Sequence, residues 1–335
     1  RVAARVRDAP EVPESYKRAD GQNVEFAAIP YYVGPWQLAV RFWKVVRAVR
    51  ESVTPQDAVI LRVPSTLANL LMPVLRKKKQ PFGLEVVGDP WDVFSPGAAK
   101  YPWPVRPVAR YWFTWALKRQ CAGASAVAYV TQYSLQKRYP PKQAFLNTSY
   151  SDVVLDGNFF APTSWFQFVT FFSSVELPVS AFVSAPLSLA TKGSFTLITV
   201  GTLDQLYKGV DVLIDAVALC LKKGLDIRLM IVGDGKYRPY LEARCRKRGI
   251  EERVRFLGQL PAGKPVRDQL DQADLFVLAS KTEGLPRAMI EAMARGLPCI
   301  GTTVGGIPEL LPPEDMVPPN DAKALAAKIE EVLTN

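Results

Sequence analysis

Residues 275–310 have the sequence LFVLASKTEGLPRAMIEAMARGLPCIGTTVGGIPEL, and this stretch decides the fold. The apolar run 275–279 predicts a buried strand, 287–296 predicts a helix that ends at a glycine, and 298–302 predicts a second strand. Strand, helix and strand in this order form a parallel βαβ unit. The loop after the first strand therefore lies at the carboxyl edge of a sheet, where such folds bind their ligands.

Glu283, Gly284 and Leu285 occupy this loop, and Pro286 stands where a first-turn proline belongs. The free N–H groups and the positive dipole end of the helix that follows suit a diphosphate. Glu291 lies about one and a half turns into the helix, where its carboxylate can accept hydrogen bonds from ribose hydroxyls. Glu283 can reach a sugar. Two solvated glutamates around a helix start are the structural alternative, and the companion motifs favour the ligand site.

The segment TVGTLDQLYKGVDVLIDAV (199–217) repeats the pattern of strand, loop and helix. Gly201 and Thr202 follow the strand, and Lys208 enters just before the helix on the same edge of the sheet. A lysine there can neutralise a phosphate that leaves as an anion. An exposed lysine at a helix start is the alternative, but the helix dipole mildly disfavours it. We therefore predict that Lys208 contacts a phosphate.

The segment IVGDGKYRPYLEAR (231–244) places Gly233 and Gly235 between a strand and a helix. This spacing resembles the GxGxxG motif of dinucleotide-binding folds, but Arg238 occupies the position of the third glycine. We expect a tight turn beside a nucleotide base or ribose, and the incomplete motif disfavours a dehydrogenase.

Alternating strands and helices extend along the whole chain and predict an α/β protein with parallel sheets. In the first half, apolar runs predict strands at 24–29, 58–61, 82–87 and 126–130, with helices at 35–53, 66–79 and 102–123. In the second half, strands are predicted at 195–201, 227–233, 254–258, 275–279 and 298–302, with helices at 209–223, 237–248, 287–295 and 321–333. A length of 335 residues suits two domains, which we place at 1–188 and 189–335. The segment RVAARVRDA (1–9) resembles a helix already under way, and the start at Arg1 leads us to expect a preceding segment.

The amino-acid composition excludes several kinds of catalytic and metal site. The chain has no histidine, which excludes Ser-His-Asp and Cys-His nucleophilic machinery and histidine-bound metals. Its four cysteines are scattered without a CxxC pair, so a disulfide framework or zinc site is disfavoured and a reducing cytoplasm fits. Any chemistry is expected to use carboxylates, lysine, arginine, hydroxyls and backbone dipoles.

The net charge of +10 is concentrated in the first half. Residues 1–188 hold 22 Lys and Arg against 13 Asp and Glu, whereas residues 189–335 hold 20 against 19. A basic domain attracts anionic lipid or phosphorylated substrates, and a merely solvated surface is the alternative. The basic runs 76–79 and 244–248 end helices without interleaved aromatics, which disfavours nucleic-acid binding. The apolar region 159–183 is interrupted by Pro and Glu and predicts strands and linker, not a membrane span.

The segment VVGDPWDVFSPG (86–97) follows a strand in the first half, and Asp89 lies beside Trp91 in a turn. A carboxylate next to an aromatic ring suits recognition of sugar hydroxyls. A turn that packs its tryptophan is the structural alternative, and the sequence leaves both open.

Taken in order, the motifs of the second half resemble glycosyltransferase family four, the retaining enzymes of GT-B fold, in which two Rossmann-like domains face each other across a cleft. The match rests on VGTLDQLYKGVDVLIDA, IVGDGKYRPYLE, VRFLGQL, DLFVLASKTEGLPRAMIEAMARGLPCIGT and GGIPEL. Glu283 and Glu291 stand in the family's E-x7-E arrangement.

The resemblance implies a role for each matched residue. Lys208 would contact the donor diphosphate, Glu283 the transferred hexose and Glu291 the ribose. Gly284 and Leu285 would offer backbone amides, and Leu260 would lie near the base. The expected donor site is completed by Gly201, Thr202, Gly233, Gly235 and Pro286. Retention would proceed by departure and attack on one face of the sugar, without a metal or another cofactor.

Two departures from the family pattern concern charge and acid-base groups. Thr202 stands where members often carry an arginine, so phosphate neutralisation is weaker or supplied elsewhere. Members often have a histidine near Gly88, where this chain has Asp89. Either Asp89 substitutes as a catalytic group beside Glu283 and Lys208, or the role is lost.

The first half resembles bacterial, particularly cyanobacterial, exopolysaccharide transferases in its GDPWDVFSPG and VTQYSLQKRYP stretches. This resemblance suggests a UDP-hexose donor, with glucose favoured, and a polysaccharide or lipid-linked glycan as acceptor. It also suggests a cytoplasmic enzyme whose basic domain contacts the inner face of the membrane. A GT-B nucleotide-sugar epimerase and a non-catalytic sugar-nucleotide sensor remain the alternatives, and turnover distinguishes the sensor from an enzyme.

Overall fold

The computed structural model describes residues 2–6, 25–95, 105–142, 146–149, 181–183 and 193–334. The predicted domain boundary near residue 188 and most of the apolar region 159–183 lie outside these ranges. Within them, no helix combines the length and the apolar character that crossing a bilayer requires.

The N-terminal part alternates strands with helices, as the sequence predicts. Its elements are β1 (Val2–Val6), β2 (Phe26–Pro30), α1 (Gly34–Glu51), β3 (Val59–Val63), α2 (Thr66–Lys78), β4 (Phe82–Val86), α3 (Pro90–Val93), α4 (Val105–Gly123), β5 (Ala126–Tyr129), α5 (Ser134–Arg138) and β6 (Leu146–Ser149). Strands β3, β4, β5 and β6 form a parallel sheet in that order, and β1 and β2 form a separate parallel pair. The core under α1, α2 and α4 is apolar, with Val63, Leu75 and Val86 fully buried.

The helix predicted at 1–9 is wrong over its described part, because residues 2–6 form strand β1. This strand pairs in parallel with β2, with Val2 opposite Phe26 and Val6 opposite Pro30. A five-residue segment gains little from helical propensity, and its backbone groups are instead satisfied along the edge of β2.

The C-terminal domain is a six-stranded parallel sheet with helices on both faces. Its elements are β7 (Phe195–Val200), α6 (Val210–Lys222), β8 (Ile227–Val232), α7 (Arg238–Arg248), β9 (Val254–Gly258), α8 (Lys264–Leu270), β10 (Leu275–Leu278), α9 (Arg287–Ala294), β11 (Cys299–Thr302), β12 (Met316–Val317) and α10 (Ala322–Thr334). The strand order is β12-β11-β10-β7-β8-β9. The chain adds β8 and β9 on one side of β7 and then returns to add β10 on the other side. This reversal of strand order is a topological switch point, where sheets of this kind open a crevice for ligands.

Successive side chains on the strands divide the core into two layers. Leu197 and Leu275 point toward α6, α7 and α10, whereas Ile198 and Phe276 point toward α8 and α9. Strands that are buried on both faces lack alternating polarity, which is why they appear in the sequence as continuous apolar runs. Among the described elements, α3, α5, β6, α8 and β12 were not predicted, because they are short and their packing partners are distant in sequence.

Candidate functional site

A cleft of about 490 Å³ lies at the carboxyl edge of the C-terminal sheet and is closed on one side by the N-terminal part. This volume is within the range of small-molecule sites. The predicted donor-site residues that line it are Gly201, Thr202, Lys208, Gly233, Leu260, Glu283, Gly284, Leu285, Pro286 and Glu291. Val87 and Val130 contribute from the N-terminal part. The structure therefore brings together motifs that are widely separated in the chain.

Lys208 and Glu283 form an ion pair inside this cleft. The Lys208 Nζ lies 2.7 Å from the Glu283 Oε1, and the two side chains are only 17% and 7% exposed. The Ser280 hydroxyl donates to the same carboxylate oxygen at 2.6 Å. A buried ion pair holds its partners in one geometry, because separating them would leave a charge unpaired.

A second buried ion pair connects the same two loops. The Lys281 Nζ lies 3.0 Å from the Asp211 Oδ2 at the start of α6, and the Lys281 N–H donates to the Tyr207 carbonyl at 2.7 Å. The sequence did not identify Lys281, because an isolated lysine after a strand does not by itself indicate a functional role. Its contacts fix the position of Lys208 relative to the loop that carries Glu283.

Helix α9 begins at Arg287 with Pro286 as its N-cap, and no side chain caps it. Pro286 thus stands one residue before the first helical turn, where its missing N–H has no consequence. Arg287 and Ala288, the first two residues of the helix, line the cleft, and the first N–H groups of a helix have no partner within it. Arg287, which the sequence analysis did not foresee, adds a second cation beside Lys208.

Glu291 is half-buried in the cleft, and burial raises the pKa of its carboxyl above the ordinary value. The positive charges of Arg287 and Arg267 oppose this rise in pKa. The carboxylate lines the cleft on α9, about one turn beyond the open helix start. The geometry permits it to accept hydrogen bonds from the hydroxyls of a ligand.

The glycine turn after β8 supports the cleft, and only its first glycine lines it. Gly235 has φ +154°, and a Cβ there would come within 2.2 Å of the Asp204 N. The Leu203 N–H donates to the Asp234 carbonyl at 2.9 Å, so the turn packs directly on the loop after β7. Gly235, predicted to bind the donor, instead permits this close backbone approach.

Asp89 does not line the cleft. It is only 3% exposed, and its Oδ1 accepts the Trp91 N–H at 2.8 Å as the N-cap of α3. Its carboxylate also accepts a hydrogen bond from the Tyr139 hydroxyl and pairs with the Arg138 guanidinium. These contacts hold α3 against the segment after β5. The structure thus gives the Asp89 carboxylate a packing role outside the cleft, and not the catalytic role that was predicted for it together with Glu283 and Lys208.

Two contacts join the N-terminal part to the loops of the cleft. A Cβ on Gly284 would lie 3.1 Å from the Val87 carbonyl, which shows how closely the loop approaches the N-terminal sheet. The Glu309 carboxylate accepts hydrogen bonds from three backbone N–H groups, those of Gln132 at 2.7 Å, Tyr133 at 3.1 Å and Ser134 at 2.8 Å. Glu309 therefore spans the two halves of the chain at the start of α5.

Across the described ranges, no group of three or more Asp, Glu or Cys side chains is placed to hold a metal ion. The four cysteines are buried free thiols, and burial raises the pKa of Cys121 and Cys299 to about 12. The charge in the cleft is therefore carried by Lys208, Arg287 and the two glutamates.

The family model described as glycosyl transferases group 1 matches residues 194–335. Over these residues the chain is similar to the group 1 glycosyltransferases. Protein CapJ of Staphylococcus aureus is 27% identical over 329 residues, which cover 94% of this chain and 73% of CapJ. The colanic acid biosynthesis glycosyltransferase WcaL of Escherichia coli, a putative assignment in its own name, is 37% identical over 131 residues. That match covers 36% of this chain and 32% of WcaL.

Solved structures extend the likeness of the glycosyltransferase domain to nearly the whole chain. HepE of Anabaena, solved with UDP and glucose, has a TM-score of 0.57 at 19% identity and covers 93% of this chain and 76% of its own. Sucrose-phosphate synthase of Thermosynechococcus elongatus has a TM-score of 0.66 at 19% identity, covering 99% and 79%. These likenesses confirm the predicted GT-B fold, and the family match confirms the resemblance drawn from the motifs.

Proposed function

We propose that the protein is a retaining hexosyltransferase that moves a hexose from a UDP-sugar to a polysaccharide or lipid-linked glycan. Glucose is the favoured hexose, and exopolysaccharide biosynthesis the favoured context. The observation that carries the proposal is the convergence of Lys208, Glu283, Glu291 and the uncapped start of α9 in one cleft. We assign donor binding to the domain 189–335 and acceptor binding to 1–188, with the reaction on the cytoplasmic side of the membrane.

The donor would lie across the carboxyl edge of the C-terminal sheet. The base and ribose would lie near Leu260 and Glu291, and the diphosphate near Lys208 and the first amides of α9. Glu283 would bind the hexose hydroxyls. The charged groups that this order requires, Lys208, Arg287 and the two glutamates, all line the cleft.

Transfer would break the bond between the sugar C1 and the donor phosphate oxygen and form a bond from the acceptor oxygen to C1 on the same face. The proton of the acceptor hydroxyl would pass to the leaving phosphate. The chain's own contribution is electrostatic, because the Lys208 ammonium and the α9 amides stabilise charge that grows on the diphosphate. This neutralisation is our reason for proposing that no metal is needed.

Arg287 would supply the cation that the family places at the position of Thr202. Arg287 lines the cleft at the first residue of α9, next to the amides that would hold the diphosphate. An arginine can engage a phosphate with two parallel hydrogen bonds. A cation lost from one loop would thus be replaced from the neighbouring one.

The comparisons support the donor and acceptor classes in different ways. HepE was crystallised with UDP-glucose, which makes a UDP-sugar the first donor to test. WcaL is named for colanic acid biosynthesis and AmsK of Erwinia amylovora for amylovoran biosynthesis, and each matches 36% of this chain. These names favour a glycan product.

A thermal-shift screen of UDP, GDP, ADP and their sugar conjugates tests the proposal. A ligand that binds only the folded state stabilises it by mass action and so raises the melting temperature. At a ligand concentration of a hundred times the Kd, the free energy of unfolding rises by about 2.7 kcal/mol. We expect UDP and UDP-glucose to raise it most, and radiolabelled UDP-glucose to give a glycan product with α linkage retained. If no nucleotide raises the melting temperature, the donor site is wrongly assigned.

Glu291→Ala is the matched site variant in this screen. We expect it to weaken UDP binding by about tenfold, the effect of losing a charged hydrogen bond to ribose. Glu252→Ala, in the exposed turn Glu251–Arg253, serves as control and keeps wild-type affinity.

A further inference from the structure

Helix α1 exposes large apolar side chains on the side that faces away from the core. Trp36, Val40 and Trp43 are 80%, 75% and 78% exposed, whereas Val45 and Val49 on the opposite side are buried. Spacings of four and three residues place the exposed three on one stripe of the helix. A helix on a globular surface normally presents polar residues there.

Helix α4 repeats this arrangement. Val108, Tyr111 and Trp115 are 68%, 65% and 53% exposed, again at spacings of three and four residues. Leu117 and Cys121 on the opposite side of the helix are buried in the N-terminal core. The exposed stripe is therefore a second apolar surface, separate from the face that stabilises the fold.

Helix α2 lies between these two helices and joins their surfaces. It packs beside α1, and its Asn69 accepts a hydrogen bond from Gln120 of α4 at 2.6 Å. The Arg76 guanidinium at its end donates to the Arg119 carbonyl of α4 at 3.3 Å. The outward sides of the three helices form one surface, which we call the α1–α2–α4 face. The described residues that line the donor cleft come from other elements.

The charge of this face is almost entirely positive. Within the sequences of α1, α2 and α4, Glu51 is the single acidic residue, and it pairs with Arg47. The basic residues of the three helices are Arg41, Lys44, Arg47, Arg50, Arg76, Lys77, Lys78, Arg106, Arg110, Lys118 and Arg119. The helices that expose tryptophan and tyrosine therefore also carry a large excess of lysine and arginine.

We propose that the α1–α2–α4 face binds the surface of a bilayer that contains anionic lipid. Tryptophan and tyrosine favour the boundary between headgroups and acyl chains, and lysine and arginine are attracted to anionic headgroups. A second copy of the chain is disfavoured as the occupant, because two basic faces would repel each other. A nucleic acid is disfavoured because tryptophans that project from convex helices form no groove to follow a strand.

Sedimentation with lipid vesicles, without any donor, tests this proposal. We expect the protein to bind vesicles that contain phosphatidylglycerol and to bind vesicles of phosphatidylcholine alone much more weakly. Added salt should weaken the binding without abolishing it, since the apolar contact is not screened. Equal binding to both kinds of vesicle, or none to either, would overturn the proposal.

Two double variants separate the contributions. Trp36→Ala with Trp43→Ala is expected to weaken binding to anionic vesicles by roughly tenfold or more. Lys77→Glu with Lys78→Glu is expected to weaken it by at least about fivefold for each charge removed. The changed side chains are exposed, so the melting temperature without any ligand should stay as in the wild type and show that the variants fold.

Matched controls lie on α7 of the C-terminal domain, which has an exposed aromatic and a basic run of its own. Tyr240 is 45% exposed, and Lys247 is exposed beside Arg246. Tyr240→Ala and Lys247→Glu should leave vesicle binding unchanged, and an equal loss in them would overturn the assignment to the α1–α2–α4 face.

Two other outcomes would overturn the membrane assignment. If the tryptophan double variant changes the oligomeric state and not vesicle binding, this face is an interface between two copies of the chain. Full competition by heparin at low salt, with no residual difference between tryptophan variant and wild type, would point to a polyanion instead. Because donor and vesicle binding are measured separately, failure of one leaves the other intact.

Discussion

The ion pair between Lys208 and Glu283 places opposite charges where a diphosphate and a hexose would meet. We expect Lys208→Ala to lower kcat by about 100-fold or more, comparable to the loss of one donor that stabilises a developing oxyanion. The variant also leaves the nearly buried Glu283 without its cation. Transfer rates at saturating donor measure the effect.

Lys264→Ala is the control for Lys208→Ala. Lys264 is 78% exposed and pairs only with Asp268 of the same helix among its described contacts, so its loss should change the rate by less than about twofold. A Lys208→Ala enzyme with the wild-type rate would show that the lysine has no part in transfer.

The raised pKa of Glu291 predicts a pH dependence of donor binding. The ionised carboxylate would be the stronger acceptor for the ribose hydroxyls, so UDP affinity should fall as the pH drops toward a pKa above the ordinary value of 4.5. Folding favours the protonated form of such a group, so ionisation costs stability above its pKa. Glu291→Gln should therefore be at least as stable as the wild type at neutral pH while binding UDP more weakly. Calorimetric Kd values and melting temperatures across pH check both effects, and a wild-type profile in the variant contradicts the assignment.

At the level of elements, the loop after β11 supports the loop that carries Glu283. Gly305 has φ +56°, and a Cβ there would lie 2.1 Å from the Glu283 carbonyl. The Gly306 N–H donates to the Gly284 carbonyl at 2.7 Å. These contacts couple the loop that contains GGIPEL to the loop that carries Glu283.

Gly305→Ala should displace Glu283 and weaken donor binding by at least tenfold, with a loss of stability of about 2 kcal/mol or more. Gly249→Ala is a close control, because Gly249 has a similar φ of +67° but open space around it. That variant should lose only about 1 kcal/mol, the cost of the left-handed conformation, and keep its donor affinity. Denaturant unfolding and UDP titration compare the two, and equal effects would rule out the loop contact as the cause.

At the scale of the whole molecule, Glu309 holds the two halves in one orientation through three amides of the N-terminal part. Glu309→Ala removes these hydrogen bonds and should lower transfer by at least about tenfold, since hydrogen bonds to a charged group are each worth roughly 1.5–3 kcal/mol. UDP affinity should change by less than about threefold, because the donor residues remain in the other domain.

Kinetics, UDP titration and small-angle scattering test Glu309→Ala, with an increase in the radius of gyration expected. Glu314→Ala, in the neighbouring exposed turn Pro313–Asp315, is the control and should behave as the wild type. Equal losses of transfer and UDP affinity in Glu309→Ala would show that Glu309 acts on the donor site itself.

The order of the longer strands and helices and the position of the Glu283 loop at the carboxyl edge of the sheet were predictable from the chain alone. Apolar runs, helix signals and glycines are local, so 275–302 could be assigned to a strand, a helix and a strand without knowing their partners. The convergence of these loops at one edge of the sheet followed from the parallel topology.

Contacts between distant segments depended on tertiary structure. Glu283 meets Lys208 across 75 positions, and Glu309 meets Gln132 across 177. The pairing of β1 and the packing role of Asp89 have the same origin, because a short strand or a lone carboxylate takes its role from whatever folds against it. Local sequence patterns predict whether a segment is a helix or a strand and where it ends. The segment it packs or pairs with is decided by burial and backbone pairing in the folded molecule.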